Sequence, residues 1–212
     1  SLYLQLLRGC DPELREKVLT SVTKDGFTPL HEALIAGNPE NVRLYLKLLQ
    51  GCDLDLQTKV LTSANVAGFT ALHSALIAAN SVNLSLYLQL LRTCDSDLQV
   101  KVLTSVNAAG FTPLHSALIA GKPENVSLYL ELLRVCDPEL QARVLTSANE
   151  AGFTPLHEAL TAGSSDNVRL YLELLRGCDP DLQVKVLTSA NAAGFTPLHD
   201  ALIAGNPDNV RL

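Results

Sequence analysis

Gly110-Phe111-Thr112-Pro113-Leu114-His115 recurs almost unchanged down the chain. The hexapeptide begins again at Gly26, Gly152 and Gly194, and at Gly68 with Ala71 in place of the proline. Each step is 42 residues, and every Cys, Tyr, Phe and His keeps the same spacing. Four whole repeats run 26–67, 68–109, 110–151 and 152–193, flanked by partial repeats at 1–25 and 194–212. A period of this length signals stacked units, none of which can bury its apolar face alone. No linker or shift of composition interrupts it, so 1–212 reads as a single repeat array.

Three helices are predicted in each repeat. Helix A opens at Thr28, an N-cap residue, with Pro29 at N1, and stops at Gly37. Its inward residues are Leu30, Ala33 and Leu34. Helix B opens at Asn38-Pro39-Glu40 and carries Val42, Tyr45, Leu46 and Leu49 to a stop at Gly51. Ser164 and Asn206 cap it in later repeats, whereas Lys122 is a poor cap. Helix C opens at Asp137-Pro138-Glu139 or Asp179-Pro180-Asp181, and is expected over 53–62, 95–104, 137–146 and 179–188. It runs through Leu140, Val144, Leu145 and Ala148. An Asn-x-Ala-Gly junction then leads back to helix A. No alternating run predicts a strand.

These residues resemble an ankyrin repeat. Gly-Phe-Thr-Pro-Leu-His-Glu-Ala-Leu, followed by Ala-Gly-Asn-Pro-Glu-Asn-Val, is similar to that family's pattern, whose signature is Thr-Pro-Leu-His-x-Ala on a period of about 33 residues. Arg176-Gly177-Cys178-Asp179 is similar to the close of the family's second helix. The extra residues of each unit follow that Asp and supply helix C, where the family has a β-hairpin finger. The fold class expected is therefore all-α: a right-handed-type α-solenoid of stacked ankyrin-like repeats, three helices per repeat, with little or no β-structure.

Composition narrows the function. The chain has 212 residues, 47% hydrophobic and 18% charged, with a net charge of −6. The acidic balance argues against nucleic acid, which wants clustered Lys and Arg. No apolar run approaches the ~20 residues of a membrane span. Five histidines, His31, His73, His115, His157 and His199, look catalytic at first sight. Stacked helices lie ~8–10 Å apart, too far for equivalent imidazoles to share a metal. The resemblance makes them structural: each His ties its turn to the Thr hydroxyl and nearby backbone. The five cysteines meet the same spacing limit for a disulfide and are expected as free thiols in small buried slots between helices B and C. Unpaired thiols favour a reducing compartment such as the cytoplasm. The tyrosines are expected to pack their rings with the hydroxyl at the rim. Glu40, Glu124, Asp166 and Asp208 sit where a helix start favours an acid. No phosphate loop, nucleophile elbow, paired carboxylate or metal motif is present, so no catalytic residue, cofactor, metal or small-molecule substrate is expected.

The remaining signal is in the positions that vary between repeats. After each His come Glu32, Ser74, Ser116, Glu158 and Asp200, and at the junctions come Val66, Ala108, Glu150 and Ala192. The resemblance implies that both sets line a concave groove that binds a partner. The function expected is a non-catalytic scaffold for protein–protein interaction along that groove. The alternative is a self-assembling structural protein, a fibre or tube of stacked arrays. The near-uniform repeats and the absence of atypical polar end repeats speak for it. Ser1-Leu2-Tyr3-Leu4 begins, and Asn209-Val210-Arg211-Leu212 stops, inside helix B, so end-to-end continuation of the array is expected, into further repeats or further copies.

Overall fold

A computed structural model describes residues 2–78, 80–162 and 164–211. Ser1 and Leu212, at the two ends of the repeat register, lie outside them. The chain forms two compact units, Ser1–Asn107 and Ala108–Leu212. The first holds α1 (Leu2–Gly9), α2 (Pro12–Leu19), α3 (Pro29–Ala36), α4 (Pro39–Gln50), α5 (Leu54–Thr62), α6 (Ala71–Ile77), α7 (Ser81–Arg92) and α8 (Ser96–Leu103). The second holds α9 (Pro113–Ala120), α10 (Pro123–Arg134), α11 (Pro138–Thr146), α12 (Pro155–Thr161), α13 (Ser165–Arg176), α14 (Pro180–Thr188), α15 (Pro197–Ile203) and α16 (Pro207–Arg211). Each unit is an all-α stack of ankyrin-like repeats, with three helices in each whole repeat. Its β-structure among the described residues is one isolated bridge between Ala64 and Thr70.

Capping chemistry places the helix starts. Thr28 and Thr112 accept the N–H of His31 and His115, three residues on. Asp53, Asp95 and Asp137 accept from Leu56, Leu98 and Leu140, which starts helix C where it was expected. Lys122 makes no side-chain cap at the head of α10. Helix C ends where its window was expected to end, but Ala148, read as part of its run, falls beyond it. α11 stops at Thr146, so Ala148 lies in the junction and is exposed, while Asn149 beside it is buried.

Like helices stack on like within each unit. In the first, α3 packs on α6, α4 on α7 and α5 on α8; in the second, α9 packs on α12, α12 on α15, α10 on α13 and α11 on α14. This buries Leu30, Leu34, Val42, Leu46 and Leu49, then Leu114, Leu130, Leu140, Val144 and Leu145. Removing such leucines from water supplies most of the stabilisation, about 2 kcal/mol or so for each side chain.

Two expectations need correction. The hydroxyls of the inner tyrosines do not sit at the rim: Tyr87, Tyr129 and Tyr171 are fully buried, ring and hydroxyl together, while Tyr3 in the first partial repeat is exposed. Tyr171 donates to the Leu145 carbonyl at 3.2 Å, but the hydroxyls of Tyr45 and Tyr87 are enclosed without a partner. The cysteines are free, but only Cys136 is buried and the other four are half-buried. From Cys52 onward each thiol donates to the carbonyl four residues back, which holds it near the end of helix B rather than in an enclosed slot.

Within each unit, neighbouring repeats register through their junctions. Gly26 and Gly152 have φ of +80°, a conformation cheap only for glycine. Neither has room for a side chain. A Cβ on Gly152 would lie 2.6 Å from the Ala192 nitrogen, and one on Gly26 would lie 2.8 Å from the Val66 nitrogen. That approach lets Ala192 N–H donate to Ala151 O at 3.0 Å and Val66 N–H to Asp25 O at 3.1 Å.

Candidate binding groove

The histidines fix the start of helix A in each repeat. The backbone N–H of Thr112 donates to His115 Nδ1 at 3.2 Å, so Nδ1 carries no proton. Nε2 then donates to the Phe153 carbonyl of the next repeat at 2.9 Å. His31 reaches the Phe69 carbonyl at 2.9 Å and His157 the Phe195 carbonyl at 3.1 Å. One ring thus clamps its own turn and the following junction. Burial drives the His115 pKa down to about 4, against the smaller upward pull of the Phe153 carbonyl; His31 is lowered for the same reason. The His31 and His115 rings are enclosed and bonded at both nitrogens, which suits packing, whereas His199 in the second unit is exposed.

The junction beside each ring is an Asx-type loop. Asn149 Oδ1 accepts the N–H groups of Ala151 and Phe153, and Asn191 does the same for Ala193 and Phe195. In the first unit the equivalent junction and the faces of α3 and α6 border an open apolar hollow of about 540 Å³, lined by Asp25, Phe27, Ile35, Val66, Phe69, Ser74 and Ile77. Val66 is 77% exposed there and Ile77 41%.

The structure brings Val66 and Ser74 together in this hollow, although Ser74 itself is nearly buried. Glu32 is exposed on α3. In the second unit Glu150 and Ala192 are exposed at junctions, Ser116 and Asp200 are buried, and Glu158 is half-buried. Ala108 is exposed at the start of that unit. Glu158 Oε1 accepts from Asn149 Nδ2 at 3.1 Å. Burial and then the charge of Asp200 push the Glu158 carboxyl up, against the Asn149 bond.

A Thr-Pro-Leu-His turn clamped by its own histidine, two short helices and a junction repeated in register are the construction of an ankyrin repeat. The sequence agrees: residues 76–184, over half of the chain, match the family model described as Ankyrin repeats (3 copies), and residues 25–59 match Ankyrin repeat. The chain belongs to the ankyrin-repeat family. No curated protein matches it. Ankyrin repeats mediate protein–protein interaction and are typically non-catalytic modules. No described helix is long and apolar enough to cross a membrane, and no group of three or more described His, Cys, Asp or Glu side chains could hold a metal.

Several contacts that shape these ankyrin repeats were not read from the sequence. Gln57, Gln99, Gln141 and Gln183 each donate to the Cys carbonyl five residues back, binding helix C to the end of helix B. Arg15 does this in the first repeat, with bonds to the carbonyls of Leu7, Arg8 and Cys10. Asn83 donates across to Ala33 O and Gly37 O, and Asn167 to Leu118 O, tying helix B to the preceding helix A. Their 42-residue recurrence was the available signal.

Proposed function

We propose that the protein is a non-catalytic interaction scaffold that holds a partner polypeptide along the helix-A faces and junctions of its repeats. The 42-residue register passes through Asn107 without a break in sequence, which favours reading 1–212 as one array. The observation that carries the proposal is the apolar hollow between α3 and α6. Val66 and Ile77 are exposed there beside buried, histidine-clamped turns, so the surface is apolar yet rigidly built. A surface of that kind suits an apolar anchor side chain on an extended segment. The contact positions proposed are Glu32, Ser74, Ser116, Glu158 and Asp200 after the histidines, with Val66, Ala108, Glu150 and Ala192 at the junctions. The surrounding acids and the net charge of −6 make nucleic acid a poor partner.

Selection of a displayed random-peptide library on the purified protein tests this. Enriched peptides should share an apolar anchor, and Val66→Glu should weaken the best of them about tenfold, since one charge is set into an apolar contact. Peptides indifferent to Val66→Glu would overturn the assignment of the groove. No enrichment, together with filaments in electron micrographs of the same protein, would favour a self-assembling structural role instead.

A further inference from the structure

The hollow between α3 and α6 carries one charge that the register does not repeat. Asp25, one of its lining residues, stands where the later junctions have Ala67, Ala109, Ala151 and Ala193. Asp25 is exposed, and its backbone is tied down, because its carbonyl accepts the Val66 N–H at 3.1 Å. It takes part in no ion pair among the described residues. Lys24, its neighbour in sequence, is the register counterpart of Val66 and does not line the hollow, and neither does any other Lys or Arg. An accessible carboxylate thus borders an apolar surface that holds no cation of its own.

The size and walls of the hollow say what fits beside that acid. Its volume is about 540 Å³, whereas an apolar cavity of about 150 Å³ already takes a benzene ring. A single aliphatic side chain would leave most of it wet. Phe27 and Phe69 both line it and are half-buried, so part of each ring stays open. Each ring is fixed edge to face on its histidine, 5.6 Å from His31 and 5.7 Å from His73 between centroids. Aromatic rings set against such walls gain more than their buried area alone supplies.

We propose that the partner segment sets a tryptophan side chain into this hollow and a lysine or arginine beside it, opposite Asp25. The inference rests on the groove reading above and names the chemistry the partner carries there. The indole fills the space between the phenylalanines, Val66 and Ile77. The basic neighbour answers the acid, so that Asp25 selects among segments that share an aromatic anchor.

The experiment is an amide-NMR titration of the intact chain at low ionic strength with N-acetyl-tryptophanyl-lysine amide. Two relatives of the probe separate its parts: tryptophanyl-norleucine lacks the charge, and leucyl-lysine lacks the indole. Saturable shifts are expected at Asp25, Val66 and Ile77. The tryptophanyl-lysine probe should bind about two- to fivefold more tightly than the norleucine one, the scale of an exposed ion pair. That advantage should vanish in Asp25→Asn and fade with added salt. The net charge of −6 attracts any cation, so Asp97→Asn, at an exposed acid on α8, is the control and should keep the advantage. Equal binding of the lysine and norleucine probes, an advantage that survives Asp25→Asn or is lost equally in Asp97→Asn, a leucyl probe as good as the tryptophanyl one, or no shifts at the hollow would overturn the proposal. Selected peptides that depend on Val66 but carry neither an aromatic anchor nor a basic neighbour would overturn it too, while leaving the groove reading standing. Probes and peptides that all ignore the hollow would end both.

Discussion

His115→Gln isolates what the buried imidazole contributes. His115 is fully buried, and its pKa is held at about 4, against 6.5 for an unburied imidazole. Between those values the unfolded chain binds a proton that the folded chain does not. Stability therefore rises with pH through this window: the contribution is fully present above 6.5 and is lost as pH falls toward 4. At about 1.4 kcal/mol per pKa unit, the interval is worth roughly 3 kcal/mol. Gln cannot take up this proton. At pH 7 the variant should be less stable by about 1–3 kcal/mol, because the Thr112 turn and the Phe153 carbonyl lose their partner. Its stability should then fall less steeply on acidification, by up to about 1.4 kcal/mol per pH unit. His31, also lowered, keeps some slope in both proteins. Glu158, raised by burial, contributes with the opposite sign in both and cancels in the comparison. Urea denaturation at stepped pH, on dilute samples because the sequence pI is about 5.3, measures the two slopes. Equal slopes, or a His115 ring that titrates near 6.5 by NMR, would refute the reasoning.

Leu130→Ala, at a site 3% exposed, should cost about 2–5 kcal/mol in chemical denaturation, whereas Leu54→Ala, on an exposed helix start, should cost little. Gly152→Ala should cost about 2 kcal/mol or more, because it combines a positive φ with a 2.6 Å clash against the Ala192 nitrogen. Tyr87→Phe should leave stability unchanged or improved, since it removes an unpartnered hydroxyl, while Tyr171→Phe should lose about 1 kcal/mol with its bond to Leu145. Thiol titration of the denatured, non-reduced chain should find five free cysteines.

The period, the helix count and the helix starts were legible in the sequence because they depend on local chemistry. A Thr, Asp or Asn before a proline caps a helix wherever it occurs, and the 42-residue recurrence multiplies a weak signal into a strong one. The varying positions after each histidine and at the junctions were also legible, as places in the register. Their states were not. Whether Ser74 borders a hollow, whether Tyr87 buries its hydroxyl, and whether Asp200 finds a partner depend on what the next repeat sets against them. The same residue type at the same register position can end differently: Tyr171 reaches a carbonyl while Tyr87 reaches nothing. The same distance dependence separates Glu158 from Asp200. Both acids follow a histidine, but only the longer one reaches its junction asparagine. Hydrogen bonds and enclosure are decided over tenths of an ångström between segments 26 to 50 residues apart. Local sequence has no hold over such distances, and they exist only once the helices are stacked.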